Sequence, residues 1–227
     1  MGRHELSSMT SPEVAATGAR VLIVPLGSLE QHGPHLPLDT DTRIAVALAQ
    51  GVAAARTDAV VAPAVAYGSS GEHDGFAGTL SIGTEALHVL LVELVRSNRD
   101  ADHVVLLNGH GGNVEAVRRA TEQLTDEGRS VRMLAPEVPE GDAHAGRIET
   151  SLLLHLDPSV VRFDLAEVGA TEPLAELLPV MRTDGVRAVS ANGVLGDPRA
   201  ATAQEGAELF ARLVAGLSAR VDAMVER

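Results

Sequence analysis

The sequence predicts an α/β fold built around a parallel sheet, and three observations carry that expectation. Short apolar runs, mostly β-branched, recur at residues 21–27, 59–65, 103–107 and 130–134, each the length of a buried strand. Stretches with apolar residues at helical spacing lie between and after them, the alternation that builds parallel sheets. Finally, the junctions after the first and third runs, and the start of a later helix, combine glycine with an acid or an imidazole. Open parallel sheets place their sites at such junctions.

The first run, VLIVPLG, leads into GSLEQHGPHLPLDTDT, residues 27–42, which packs three carboxylates and two imidazoles into one strand-to-helix crossing. If extended backbone continues past the strand, Glu30 and His32 project together as a ligand pair while Gln31 points away. Gly33, Pro34 and Pro37 then break and stiffen the chain. A helix is expected over residues 39–55, with Asp39 or Thr40 as N-cap and Ile44, Leu48 and Val52 on one face. Asp41 falls in its first turn, favoured there by the helix dipole and able to lean back toward Glu30 and His32. A surface loop with a capping aspartate and solvated histidines is the plainer alternative. Three such side chains directly after a buried strand favour a metal site.

Composition limits the chemistry. The chain has 227 residues and a formal charge of −13, which argues against nucleic acid and anionic membranes as partners. It contains no cysteine, and all 18 basic residues are arginine. Thiolate chemistry, a lysine Schiff base and a P-loop lysine are thereby excluded. A metal site must be built from His, Asp and Glu, a donor set suited to zinc, manganese or iron(II). No stretch reaches transmembrane length and the first residues lack the apolar core of a signal peptide, so a cytoplasmic protein is expected. Residues 1–18 read as a loose arm able to order against a partner subunit, and residues 19–227 as a single domain.

Beyond the second run lies an irregular passage, residues 67–83, with five glycines and three serines. Long loops inside compact domains are commonly functional. Glu72, His73 and Thr79 are the candidates there to face the site, against a solvated loop tip as the alternative for Glu72 and His73. A helix capped by Thr84 follows, with Leu87, Leu90, Leu91, Leu94 and Val95 as its apolar stripe. The third run ends in NGHGGN, residues 108–113, placing His110 at the carboxyl edge of the sheet with Asn108 positioned to orient it. Gly-rich turns also cradle phosphates, but GxGxxG is not matched. A ligand histidine is favoured. After the fourth run, His144, Gly146 and Glu149 sit at the start of a helix carrying Leu152, Leu153 and Leu156. His144 and Glu149 can reach one pocket across that junction. From residue 158 short strands or covering loops are expected, and then a last helix over residues 203–224.

These segments, EQHGPHLPLDTD, GSSGEH, NGHGGN, HAGRIETS and NGVLGDP, occur in the same order in the creatininase family of metal-dependent amidohydrolases, which the chain resembles over nearly its whole length. The resemblance implies a three-layer α/β/α fold with a mainly parallel central sheet and two divalent metal ions, zinc, iron(II) or manganese. Glu30, His32, Asp41 and His110 match the family's ligand positions, with Asp41 as the bridge. Creatininase itself carries a glutamate two residues after the histidine of its GH motif, where this chain has Gly112, and the fifth ligand is assigned instead to Glu149. His144 matches the active-site histidine. The lack of tryptophan argues against creatinine as substrate.

The GSSGEH and HAGRIETS segments are most like a family member that acts on a small modified peptide, cutting near its C-terminus to release a Val-Tyr-derived end. A formamide deformylase or a cyclic-amide hydrolase of the same family is the alternative activity. A metal-stabilised binding subunit without turnover is the alternative of another class. Family members commonly form homo-oligomers, and the resemblance implies the same here.

Overall fold

The computed structural model describes residues 4–139 and 141–226. Four strands, β1 (Val21–Leu26), β2 (Ala59–Val61), β3 (His103–Asn108) and β4 (Ser130–Leu134), form one parallel sheet in the order β2-β1-β3-β4. All six residues of β1 are buried, as an interior strand covered on both faces requires. Strand alternation sends Val21 and Ile23 to one face and Leu22, Val24 and Leu26 to the other.

The first face packs on α2 (Thr40–Ala54), α5 (Arg147–Leu156) and α7 (Ala203–Val225), through Ile44, Leu48, Leu152, Leu153, Leu213 and Leu217. The second packs on α3 (Gly83–Ser97) and α4 (Val114–Asp126), through Leu87, Leu91, Val95, Val117 and Leu124. The result is the expected α/β/α sandwich. The chain runs outward from β1 to β2, crosses back by α3, and continues outward the other way through β3 and β4. The strand order therefore reverses between β1 and β3, and their carboxyl ends open a crevice at that switch point.

The structure departs from the sequence expectations in four places. Within the segment expected as a loose arm, residues 4–18 are tied to the body of the fold. The backbone carbonyl of His4 accepts from Val61 N at 2.7 Å, Glu5 bridges to Val61, and α1 (Ser11–Thr17) is held by a Thr10/Glu13 capping box. Residues 4–5 thus cover the free edge of β2. The second strand ends at Val61 instead of residue 65, because Pro63 lacks the N–H that a ladder needs. Thr84 lies inside α3 and bonds Ser69 Oγ at 3.0 Å; the cap position is Ile82. Finally, residues 158–202 hold no strand. They fold as short 3₁₀ turns and α6 (Leu174–Asp184), which carries Pro179 within it and packs Leu177 against Val186 and Leu195.

Candidate metal centre

The geometry of the centre begins with a close approach. A Cβ on Gly27 would lie 2.5 Å from Thr42 Cα, so only glycine lets the chain leaving β1 pass the first turn of α2. Thr42 Oγ1 donates to the Ser28 carbonyl at 3.1 Å and Ser28 Oγ donates to Asp41 Oδ2 at 2.8 Å, fastening the two segments together. Glu30 and His32 thereby meet Asp41. His32 Nε2 lies 3.1 Å from Asp41 Oδ1, and its Nδ1 lies 3.1 Å from the carbonyl of Glu30.

From the end of β3, His110 enters with Nδ1 3.1 Å from Asp41 Oδ2 and Nε2 3.1 Å from Glu30 Oε2. Asn108 brackets the His110 backbone, donating from Nδ2 to its carbonyl at 2.8 Å. The carboxylate of Asp41 therefore faces a different histidine with each oxygen. A third approach comes from the start of α5, where Ala145 adopts a left-handed φ of 50°, a conformation that costs energy outside glycine. This turn lets Glu149 Oε2 accept from Ala145 N at 2.6 Å and seats His144 beside His32, with ring centroids 4.3 Å apart.

Among the described residues, three groups of donor atoms fall within 4.8 Å of one another: Glu30, Asp41 and His110; His32, His144 and Glu149; and Glu30, His73 and His144. Every residue predicted to hold a metal is in one of them. The loop residues arrive as well. The 3₁₀ turn Gly71–His73 puts His73 Nε2 3.2 Å from Glu30 Oε1 and Glu72 Oε1 3.6 Å from His110 Nε2, while Thr79 Oγ1 accepts from Gln31 N at 3.3 Å. His73 is buried, so the solvated loop tip does not describe it. A Cβ at Gly112 would run into the Glu72 carboxylate and the His110 ring. Glu72 thus fills the space beside the position where creatininase carries a glutamate. His35 stands apart from the donor groups, buried with Nε2 2.9 Å from Thr150 Oγ1.

Gln31 is the residue of the cluster that sequence reasoning missed. The alternation expected to turn it away does not apply, because β1 ends at Leu26 and the chain is irregular from there. Its amide lies 2.9 Å from His73 Nδ1 and 3.0 Å from His144 Nε2. The signal available in the sequence was the run of prolines and glycine that ends extended backbone.

The electrostatics are those of a site built around positive charge. Glu30 is fully buried and neither of its oxygens has a hydrogen bond. Burial pushes the Glu30 and Glu149 carboxyls up to about 7. Burial also holds His144 well below the usual imidazole range and His73 at about 3, with neighbouring histidines adding to the effect. For His32 and His110 burial pulls the other way and is outweighed, by Asp41 above all for His32, raised to about 10, and by Glu30 and Asp41 for His110, raised to about 9. Asp41 stays ionised despite its burial because those two rings face it.

Among the described residues, the ion pairs of Glu30 and Asp41 are all with histidines. A buried carboxylate without such compensation is expensive. Divalent cations would supply the same compensation without protons on the rings, and imidazole with carboxylate suits zinc, manganese and iron(II). The residues therefore fit the metals that the donor set implies.

Known proteins give the same fold and donor set a context. The sequence model of the creatininase family, described as creatinine amidohydrolase, matches residues 7–221. The mycofactocin precursor peptide peptidase of Mycolicibacterium smegmatis is 56% identical over 88% of this chain and 84% of its own length. The creatinine amidohydrolase of Pseudomonas putida is 30% identical over 89% of each chain. Among solved structures, a mutant creatininase of Zn-Zn type superposes with a TM-score of 0.81 at 27% identity, covering 97% of this chain and 98% of that one.

Proposed function

The chain belongs to the creatininase family of metal-dependent amidohydrolases, and from that premise we propose that it is a two-metal peptidase acting on a small modified precursor peptide, a reading supported by its similarity to relatives named mycofactocin precursor peptide peptidase. It cuts the peptide bond near the C-terminus and releases the Val-Tyr-derived end. The observation that carries this reading is the placement of Asp41, one oxygen toward His32 and the other toward His110, inside a buried cluster of acids.

In this scheme Glu30, Asp41 and His110 hold one divalent ion and His32, Asp41 and Glu149 the other. When bound, such ions lower the pKa of a water toward neutrality and polarise the amide carbonyl that it attacks. The chain's own residues do the rest. Ser28 and the backbone carbonyl of Glu30 fix Asp41 and His32 so that both face inward. His144, kept neutral by burial, takes a proton as the carbonyl is attacked and returns it to the departing amide nitrogen. Glu72 and Thr79 line the approach from the loop side and position the substrate's backbone, while His73 stands behind them against Glu30. The nearly complete burial of the cluster excludes bulk water from the reacting bond.

The test is hydrolysis of a synthetic modified precursor peptide, followed by mass spectrometry, with zinc-, manganese- or iron(II)-loaded protein. Release of a two-residue C-terminal product supports the proposal. Intact peptide under all three metals, alongside turnover of a formamide or a cyclic amide, would replace the substrate and keep the centre.

A further inference from the structure

Gln31 makes more contacts with the cluster than any role assigned above requires, and its hydrogen bonds determine its orientation completely. Oε1 accepts from Gly33 N at 2.9 Å, so the other end of the amide is the NH₂ group. That nitrogen has two protons and three neighbours: the Gly193 carbonyl at 3.1 Å, His73 Nδ1 at 2.9 Å and His144 Nε2 at 3.0 Å. His144 Nε2 also lies 2.8 Å from the backbone carbonyl of Gln31, which can only accept. The ring must therefore carry its proton on Nε2 and spend it on that carbonyl. The two amide protons are left for Gly193 O and His73 Nδ1.

His73, accepting at Nδ1, is then neutral with its proton on Nε2, the ring nitrogen that lies 3.2 Å from Glu30 Oε1. In this state the ring nitrogen nearer Glu30 carries a proton and has no lone pair for a cation. The third donor group, Glu30 with His73 and His144, thus lacks the His73 lone pair that a cation site there would need. His144, with Nε2 protonated, keeps a bare lone pair on Nδ1, the ring nitrogen on the Glu30 side at 3.8 Å from Oε1.

We propose that Gln31 is a positioning residue that locks the tautomers of both histidines: through its side-chain amide it keeps the His73 proton on Nε2, the nitrogen beside Glu30, and through its backbone carbonyl it makes Nδ1 the proton-accepting atom of His144. The role in turnover rests on the peptidase reading above, whereas the tautomers themselves do not.

The experiment uses the full-length chain labelled with ¹⁵N on histidine, metal-free and zinc-loaded, as the natural sequence and as Gln31→Met, which keeps the bulk and removes the amide. Long-range ¹H–¹⁵N spectra are expected to show both His73 and His144 protonated on Nε2 in the natural protein. In Gln31→Met the His73 signals should shift toward a mixture of tautomers while His144, held by the backbone, keeps its own. Zinc binding should weaken by less than about 10-fold, whereas kcat should fall by about 10- to 100-fold with KM little changed, the usual scale for an outer-shell partner. A natural protein with His144 protonated on Nδ1 overturns the proposal, and so does a His73 spectrum unchanged in Gln31→Met. If Gln31→Met fails to fold, the spectra of the natural protein still decide the assignment. Nε2 tautomers in a protein that cleaves no peptide would leave the lock standing and remove the peptidase reading.

Discussion

The body of β1 and the chain directly beyond it are buried to the same degree for opposite reasons. Residues Val21–Leu26 are covered on both faces by aliphatic side chains from five helices, and each gains about 25 cal/mol per Å² of apolar surface removed from water. That burial is favourable by itself. Glu30, His32 and Asp41 are as deeply buried, yet desolvation there opposes the charged forms that the cluster contains. The sheet would therefore fold for its own sake, and the switch-point crevice would not. The cost of the crevice is carried by the apolar layers, and its charges are balanced by histidine protons or by cations.

Substitutions in the two regions should separate activity from stability. The largest effect expected is on turnover with little loss of fold: His144→Gln should lower kcat by about 10²- to 10⁴-fold, the range for a lost general acid–base group, while metal content by elemental analysis is unchanged. Next is the converse case. Leu106→Ala in the middle of β3, fully buried, should destabilise the protein by about 2–5 kcal/mol in urea titrations yet leave the folded fraction with normal metal stoichiometry and specific activity. Parallel losses of metal and stability in that variant would mean that sheet and centre are not energetically distinct. A smaller effect is expected at Ser28→Ala, which removes the hydrogen bond to Asp41 Oδ2 and should weaken metal affinity by about 10- to 100-fold in competition with a chromogenic chelator. Smallest of all, Arg118→Ala breaks exposed pairs with Glu115 and Glu122 and should leave both Tm and turnover unmoved.

The same contrast governs what was legible in the sequence. Apolar periodicity reports burial that is favourable locally, so β1, α2, β3, β4, α5 and α7 were readable to within a few residues. The residues of the centre that follow strands or start helices, Glu30, His32, Asp41, His110, His144 and Glu149, were readable because titratable groups gathered at the carboxyl ends of parallel strands mark the crevice where such folds bind ligands. Glu72 and His73 were harder, since only tertiary folding brings the loop of residues 67–83 onto Glu30 and His110. Gln31 was misplaced because the strand period was extended beyond the strand. α6 was missed because Pro179 disguises it, and α1 because its residues bury nothing and periodicity had nothing to report.

The proposed two-metal centre stands on Asp41, which would join two cation sites in one buried cluster. The direct measurement is metal content per chain, on protein purified without chelator and reloaded with zinc, manganese or iron(II), for the natural sequence and for Asp41→Ala. Two ions per chain in the first, and a clear loss in a variant that still melts cooperatively, is the result predicted. An Asp41→Ala protein that keeps two ions and normal turnover, or a natural protein that takes up none of the three metals, would contradict it.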